Sequence, residues 1–174
     1  MIRSLCGFMG AGKSTIGKNL ASIMGVKFID LDRYIESRLG KTISVLFAEV
    51  GMEGFRRIEH DELVQLLKNE GGDIVLSLGG GTVTSRQTAD IVLQQTECVY
   101  LKYDVGVLYR RLLKKQTQRP LLAGKSPEEL NRYITETFAE REPHYLRSAT
   151  FSIDCNGKSI SQICNEIAGH FNLG

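Results

Sequence analysis

Apolar and polar positions fall into two alternating patterns along this chain: short apolar runs of strand length, and stripes in which apolar residues recur every three or four positions. Ile2 to Cys6 is the first run, although Arg3 and Ser4 make it less apolar than a buried central parallel strand. Ile16, Leu20, Ile23 and Met24 follow at helical spacing, and Val26 to Asp30 reads as a second strand. From Arg33 to about Asn69 the pattern is helical with breaks at Gly40 and Gly51, and Ser44 to Val50 reads as a short helix N-capped by its serine. The last helix of this stretch carries Phe55, Ile58, Leu63, Leu66 and Leu67 on one stripe, with Arg56 and Arg57 off it.

Asp73 to Leu78 is a continuous apolar run, followed at once by Gly79-Gly80-Gly81. Ser85 is placed to cap a helix to Gln95, Cys98 to Tyr103 reads as a strand, and Asp104 is placed to cap a helix with Val105, Leu108 and Leu112 on one face. A basic, irregular segment, 114–125, separates this helix from the next. Ser126-Pro127-Glu128-Glu129 is a strong helix start, a capping box with proline in first position, and the helix is expected to run through Leu130, Ile134 and Phe138 to about Glu140. Thr150 to Asp154 is a fifth strand, Asn156-Gly157 a turn, and Ile160, Ile163, Cys164, Ile167, Ala168 and Phe171 mark a closing helix. Strands alternating with helices predict an α/β fold of three layers, α/β/α, around a five-stranded parallel sheet. The chain reads as a single domain, 1–174, with its core in 1–32, 70–111 and 126–174. The helical stretch 33–69 is longer than a simple crossover and is expected to form a substrate-binding lobe, with 112–125 as a lid.

Composition narrows the function. Twenty-two Lys and Arg against 20 Asp and Glu leave a net charge of +2, which carries no nucleic-acid footprint, so local charge placement must do the electrostatic work. No apolar run approaches a membrane span, and the first residues lack the pattern of a signal peptide, so a soluble, cytoplasmic protein is expected. Cys6, Cys98, Cys155 and Cys164 show neither a C-x-x-C pair nor zinc spacing, and reduced, structural thiols are expected.

Gly7 to Ser14 fits the phosphate-loop pattern G-x-x-x-x-G-K-[ST], directly after a strand and at the start of a helix. Such a loop cradles nucleotide phosphates with backbone N–H groups, while Lys13 reaches the outer phosphates and Ser14 a Mg²⁺ ion. Asp30 and Asp32, two residues apart, would point the same way in an extended segment, where they can hold Mg²⁺ through water and receive a proton from a substrate hydroxyl. Taken without the loop, the same pair reads as a strand end or a helix cap. The glycine triplet after a buried strand requires something to come close to the backbone at the carboxyl edge of the sheet. Arg56 can fork onto a substrate carboxylate, or be a surface arginine. Arg141, at an expected helix end, can bind an anion or simply favour the negative helix terminus. Arg119, beside Pro120 in the lid, can neutralise charge during phosphoryl transfer. His144 reads as a packing or surface residue.

The ordered set Gly7 to Gly17, Asp30-Leu31-Asp32, Gly54-Phe55-Arg56 with Glu59, Gly79-Gly80-Gly81, Arg119-Pro120-Leu121-Leu122 and Arg141 with Tyr145 resembles the shikimate kinase family, in the nucleoside-monophosphate-kinase-like group. The resemblance spans nearly the whole chain. It implies transfer of the γ-phosphoryl group of ATP to the 3-hydroxyl of shikimate, with Mg²⁺, by a monomer. It further implies catalytic roles for Lys13, Asp32 and Arg119, and ATP binding by Gly10, Ala11, Gly12, Lys13, Ser14, Thr15, Arg111 and Arg119. Shikimate would be bound by Asp32, Arg56, Gly79, Gly80, Gly81 and Arg141, and the metal by Ser14 and Asp30. The family's adenine-stacking arginine falls among Arg110, Arg111 and Lys115, and Arg111 is assigned to ATP. A gluconate kinase of the same architecture and a non-catalytic nucleotide-binding module are the rival readings. No N-K-x-D guanine-reading motif is present, which disfavours a GTPase.

Overall fold

A computed structural model describes residues 1–116 and 122–172. Five strands, β1 (Ile2–Cys6), β2 (Lys27–Asp30), β3 (Ile74–Ser77), β4 (Glu97–Lys102) and β5 (Phe151–Asp154), form one sheet in the order β2-β3-β1-β4-β5, all neighbours parallel. The polar residues of β1 find partners. Ser4 shares a 2.7 Å hydrogen bond with Thr96, and Arg3 stands 3.4 Å from Glu97. A serine at the centre of the sheet is therefore buried without an unsatisfied hydroxyl.

The connections are α1 (Lys13–Met24), α2 (Leu31–Leu39), α3 (Ile43–Asn69), a 3₁₀ turn at Thr82–Thr84, α4 (Arg86–Gln95), α5 (Val105–Leu113), α6 (Pro127–Ser148) and α7 (Ile160–Asn172). The step from β1 to β2 runs one way across the sheet and the steps from β3 to β4 and β4 to β5 run the other. Right-handed crossovers therefore put α1 on one face and α4 to α6 on the opposite one. The packing agrees, since α1 meets α7 while α4 and α5 meet α6. This is the expected three-layer α/β/α architecture. The direction reverses between β1 and β3, so the crevice at their carboxyl ends is where a ligand site belongs.

Several local expectations change. The two carboxylates do not share an extended segment: β2 ends at Asp30, whose side chain accepts the Arg33 N–H at 3.4 Å and caps α2, so Asp32 lies in the first helical turn. Aspartate is among the best N-caps, and it turns the chain helical at once. The next helix is capped by Thr42, whose hydroxyl accepts from Val45 N at 3.3 Å, rather than by Ser44. The glycine breaks are both real: Gly40 closes α2 at φ 66°, and Gly51 kinks α3 at φ 69°. Ser85 and Asp104 precede α4 and α5, but neither side chain makes a capping bond.

The largest difference is α6. Its capping box at Ser126 and Glu129 is present, but the helix continues past Glu140 to Ser148 with Pro143 inside it, so Arg141 is an interior residue and not a helix end. Proline removes one intrahelical bond, yet the turn beyond it is held by the buried Tyr145 and Ser148. Burial outweighs the local stop signal. All four cysteines are free and buried, and no helix among the described residues is long and apolar enough to cross a membrane.

Candidate active site

Three neighbouring strands, β1, β3 and β2, end at one edge, and each delivers part of the site. After β1 the chain wraps from Gly7 to Gly12, with Gly10 and Gly12 both at φ 83°, a left-handed conformation in which a side chain would be strained. Ala11 N donates to the Phe8 carbonyl at 3.1 Å and closes the bend. Helix α1 starts on Gly12 with no side-chain cap and no acidic residue in its first turn, leaving its N–H groups to face an anion. Lys13 Nζ donates to the carbonyls of Gly7 and Phe8 at 2.8 and 3.1 Å. A cleft of about 340 Å³ opens here, bounded among others by Gly10, Gly12 to Thr15, Asp30, Asp32, Arg111 and Lys115.

Ser14 Oγ donates to Asp30 Oδ2 at 2.5 Å, so the loop and the end of β2 meet directly. Two hard oxygen donors beside a phosphate cleft fit Mg²⁺, which takes one or two protein ligands and completes its shell with phosphate and water. Arg111 donates to the Gly10 carbonyl at 3.2 Å and lies over the Tyr103 ring, 4.2 Å from its centroid. Of the three cations the resemblance offers for the base, Arg111 and Lys115 line this cleft and Arg110 is exposed on α5. Arg119 lies outside the described residues.

A second cleft of about 370 Å³ adjoins the first, between α3 and the glycine triplet. Its walls include Phe47, Met52, Phe55, Arg56, Glu59, Gly79 to Gly81 and Arg141, an apolar wall faced by two guanidinium groups. Phe47 stacks on Phe55 at 4.2 Å, and Arg56 is ion-paired to Glu59. Asp32, Met9, Gly79 and Gly80 line both clefts.

The glycine triplet is explained by space. None of the three takes a positive φ. A Cβ on Gly79 would stand 3.0 Å from Glu59 Oε1 and 3.3 Å from Asp32 Oδ1, and one on Gly81 would overlap the Arg56 guanidinium. Thr82 Oγ1 comes nearest of all to Gly79, at 2.9 Å from such a Cβ, so the groups that crowd Gly79 and Gly81 are the site's own polar and charged side chains. Arg141 reaches the Gly80 carbonyl at 3.4 Å from the far side.

Burial, and the Glu59 and Asp30 carboxylates nearby, raise the Asp32 carboxyl from its ordinary range to about 6. A carboxylate so shifted is a stronger base than a free aspartate and remains ionised at neutral pH. Glu59 and Thr82 extend the set. Glu59 is 1% exposed and accepts the Thr82 hydroxyl at 2.6 Å as well as the Arg56 guanidinium. Thr82 carried no recognisable signal. Glu59 did, because it stands four residues from both Phe55 and Leu63, a carboxylate on the buried stripe of α3.

A family model for shikimate kinase matches residues 9–171. The chain belongs to the shikimate kinase family. It is an ATP-dependent kinase acting on shikimate. Similarity to individual members is extensive: the shikimate kinase of Parabacteroides distasonis is 42% identical over 151 residues, 86% of each chain. The kinase also superposes on the crystal structure of the Bacteroides thetaiotaomicron shikimate kinase with a TM-score of 0.90, at 34% identity over 99% of this chain and 98% of that one. The Acinetobacter baumannii shikimate kinase, solved in complex with shikimate, matches with a TM-score of 0.84 at 32% identity over 98% and 92% of the two chains.

Proposed function

We propose that ATP lodges its phosphates in the loop 7–15 and that shikimate occupies the cleft between α3 and the glycine triplet, with its 3-hydroxyl presented to Asp32. The observation that carries this division is that Asp32, with Gly79 and Gly80, borders both clefts. A group at that boundary can face an acceptor hydroxyl on one side and a terminal phosphate on the other.

In this scheme Arg56 and Arg141 hold the shikimate carboxylate, and the ring rests on Phe47 and Phe55. Arg56 is kept in place by Glu59, and Glu59 by Thr82. Asp32 accepts the proton of the 3-hydroxyl as its oxygen bonds to the γ-phosphorus and the bond to ADP breaks. Lys13 and the loop N–H groups, with Arg119 by resemblance, stabilise the charge that spreads over the transferred group. Ser14 and Asp30 would hold Mg²⁺, which when bound neutralises phosphate charge. Arg111, backed by Tyr103, is positioned to meet the base. Residues 33–69 act as the substrate lobe and 112–125, of which 117–121 lie outside the described residues, as the lid, and the kinase works as a cytosolic monomer.

Release of ADP, followed by a coupled assay across shikimate, gluconate and nucleoside monophosphates, tests the acceptor. Shikimate alone is expected to stimulate turnover. An enzyme indifferent to shikimate, or faster with gluconate, would overturn the assignment.

A further inference from the structure

Tyr145 is fully buried on α6, and its hydroxyl donates a 2.5 Å hydrogen bond to the Gly80 carbonyl. It stands four residues after Arg141, so the two side chains share a helix face, and the Arg141 guanidinium donates to the same carbonyl at 3.4 Å. One carbonyl therefore takes two donors from one helix. Its ring lies 5.4 Å from that of Tyr100, and the Tyr100 hydroxyl makes a separate bond, to Glu142 Oε1 at 3.3 Å. Burial pushes the Tyr145 phenol well above its usual range, so the hydroxyl keeps its proton and remains a donor. Gly80 is closely set as well, since a Cβ there would lie 3.3 Å from Met9 N of the phosphate loop.

We propose that Tyr145 is a positioning residue for the acceptor substrate: its hydroxyl fixes the Gly80 peptide and, through the shared carbonyl, the Arg141 guanidinium, in the orientation that receives shikimate. This rests on the reading of Arg141 and the glycine triplet as part of the shikimate site. Of the two bonds to the carbonyl, the tyrosine's is the shorter and comes from a side chain with little freedom to move. Without it the peptide is held by the longer contact alone, and Arg141 shares its donors with a carbonyl free to turn. The phosphate loop keeps its own bends, so nucleotide binding is spared.

The test is steady-state kinetics of Tyr145→Phe, which keeps the ring and removes the hydroxyl, beside Arg141→Lys and Tyr100→Phe. The KM for shikimate is expected to rise about ten-fold in Tyr145→Phe, with the KM for ATP and kcat at wild-type values and only a modest fall in Tm. Tyr100→Phe, which removes a buried hydroxyl from the same helix contact, is expected to leave the shikimate KM unchanged. A merely structural role would move both KM values and Tm together, and that result overturns the proposal. So does an unchanged shikimate KM in Tyr145→Phe while Arg141→Lys raises it, an outcome that leaves the site reading standing. If neither variant alters the shikimate KM, the site reading falls and the proposal with it.

Discussion

Asp32 shows how a single side chain takes its chemistry from its neighbours. Its carboxyl is raised to about 6 by burial first and by Glu59 and Asp30 next, with Lys13 and Arg56 pulling the other way. Asp32→Asn keeps the shape and loses the base, so kcat is expected to fall by about a hundred-fold or more, while ADP binding measured by calorimetry stays intact. An undiminished kcat would remove Asp32 from the proton transfer. The same shift has a consequence for stability. Between the ordinary aspartate value of 3.8 and about 6 the folded protein holds a proton that the unfolded chain has released. Stability without ligands should therefore decline as pH rises through that window, and the decline should be absent in Asp32→Asn. Denaturant midpoints of the two proteins, measured from pH 4 to 7, should diverge in favour of the variant. A constant difference would show that the carboxyl titrates normally.

At the scale of elements, the segment after β3 and the helix α6 matter most. The glycine triplet is a place where helix-borne side chains lean against backbone, so even one methyl group changes the site. Gly81→Ala would displace the Arg56 guanidinium, the end of a flexible side chain, so the fold should survive while the KM for shikimate rises about ten-fold or more. A crystal structure of the variant with Arg56 unmoved, or an unchanged KM, would refute this. In α6 the start and the interior obey different rules. Ser126→Ala removes the hydroxyl that accepts the Glu129 N–H at 3.2 Å, one of the two bonds of the capping box, and should lower stability by about 1 kcal/mol, read as a denaturant midpoint, without altering either KM. The interior owes its continuity past Pro143 to burial, which is why a stop was expected near Glu140 and the helix reached Ser148.

For the molecule as a whole, the strand order brings the ends of β1, β2 and β3 together, and with them the phosphate loop, the acidic pair and the glycine triplet. The cleft proposed for the acceptor lies between this edge and α3, a helix far longer than a crossover requires. Shikimate binding should therefore tie the α3 lobe to the sheet. At a hundred times its Kd it should add about 2.7 kcal/mol to the folded state, seen as a rise in Tm. No rise at saturating shikimate would mean that the cleft between α3 and the triplet is not the acceptor site.

Much of this protein was legible along the chain. The phosphate loop is local, since its glycines, lysine and serine act through backbone conformation and a helix start that follow from adjacent residues. The strand-helix alternation and its five parallel strands followed from periodicity and from the handedness of crossovers. Asp30, Asp32, Arg56 and Arg141 could be named but not related. The helix cap at Asp30 was one of two readings open from the sequence; only packing showed that Asp30 also touches Ser14, that Asp32 sits where two clefts meet, and that Arg141 lies inside a helix. Thr82 had no signal at all, and Tyr145 stood in the family pattern without a task. Their roles come from contacts between residues far apart in the chain, which depend on where the sheet and α6 place them. Backbone conformation is written locally, whereas the distance between a phenol and a carbonyl 65 positions apart is set by the folded whole.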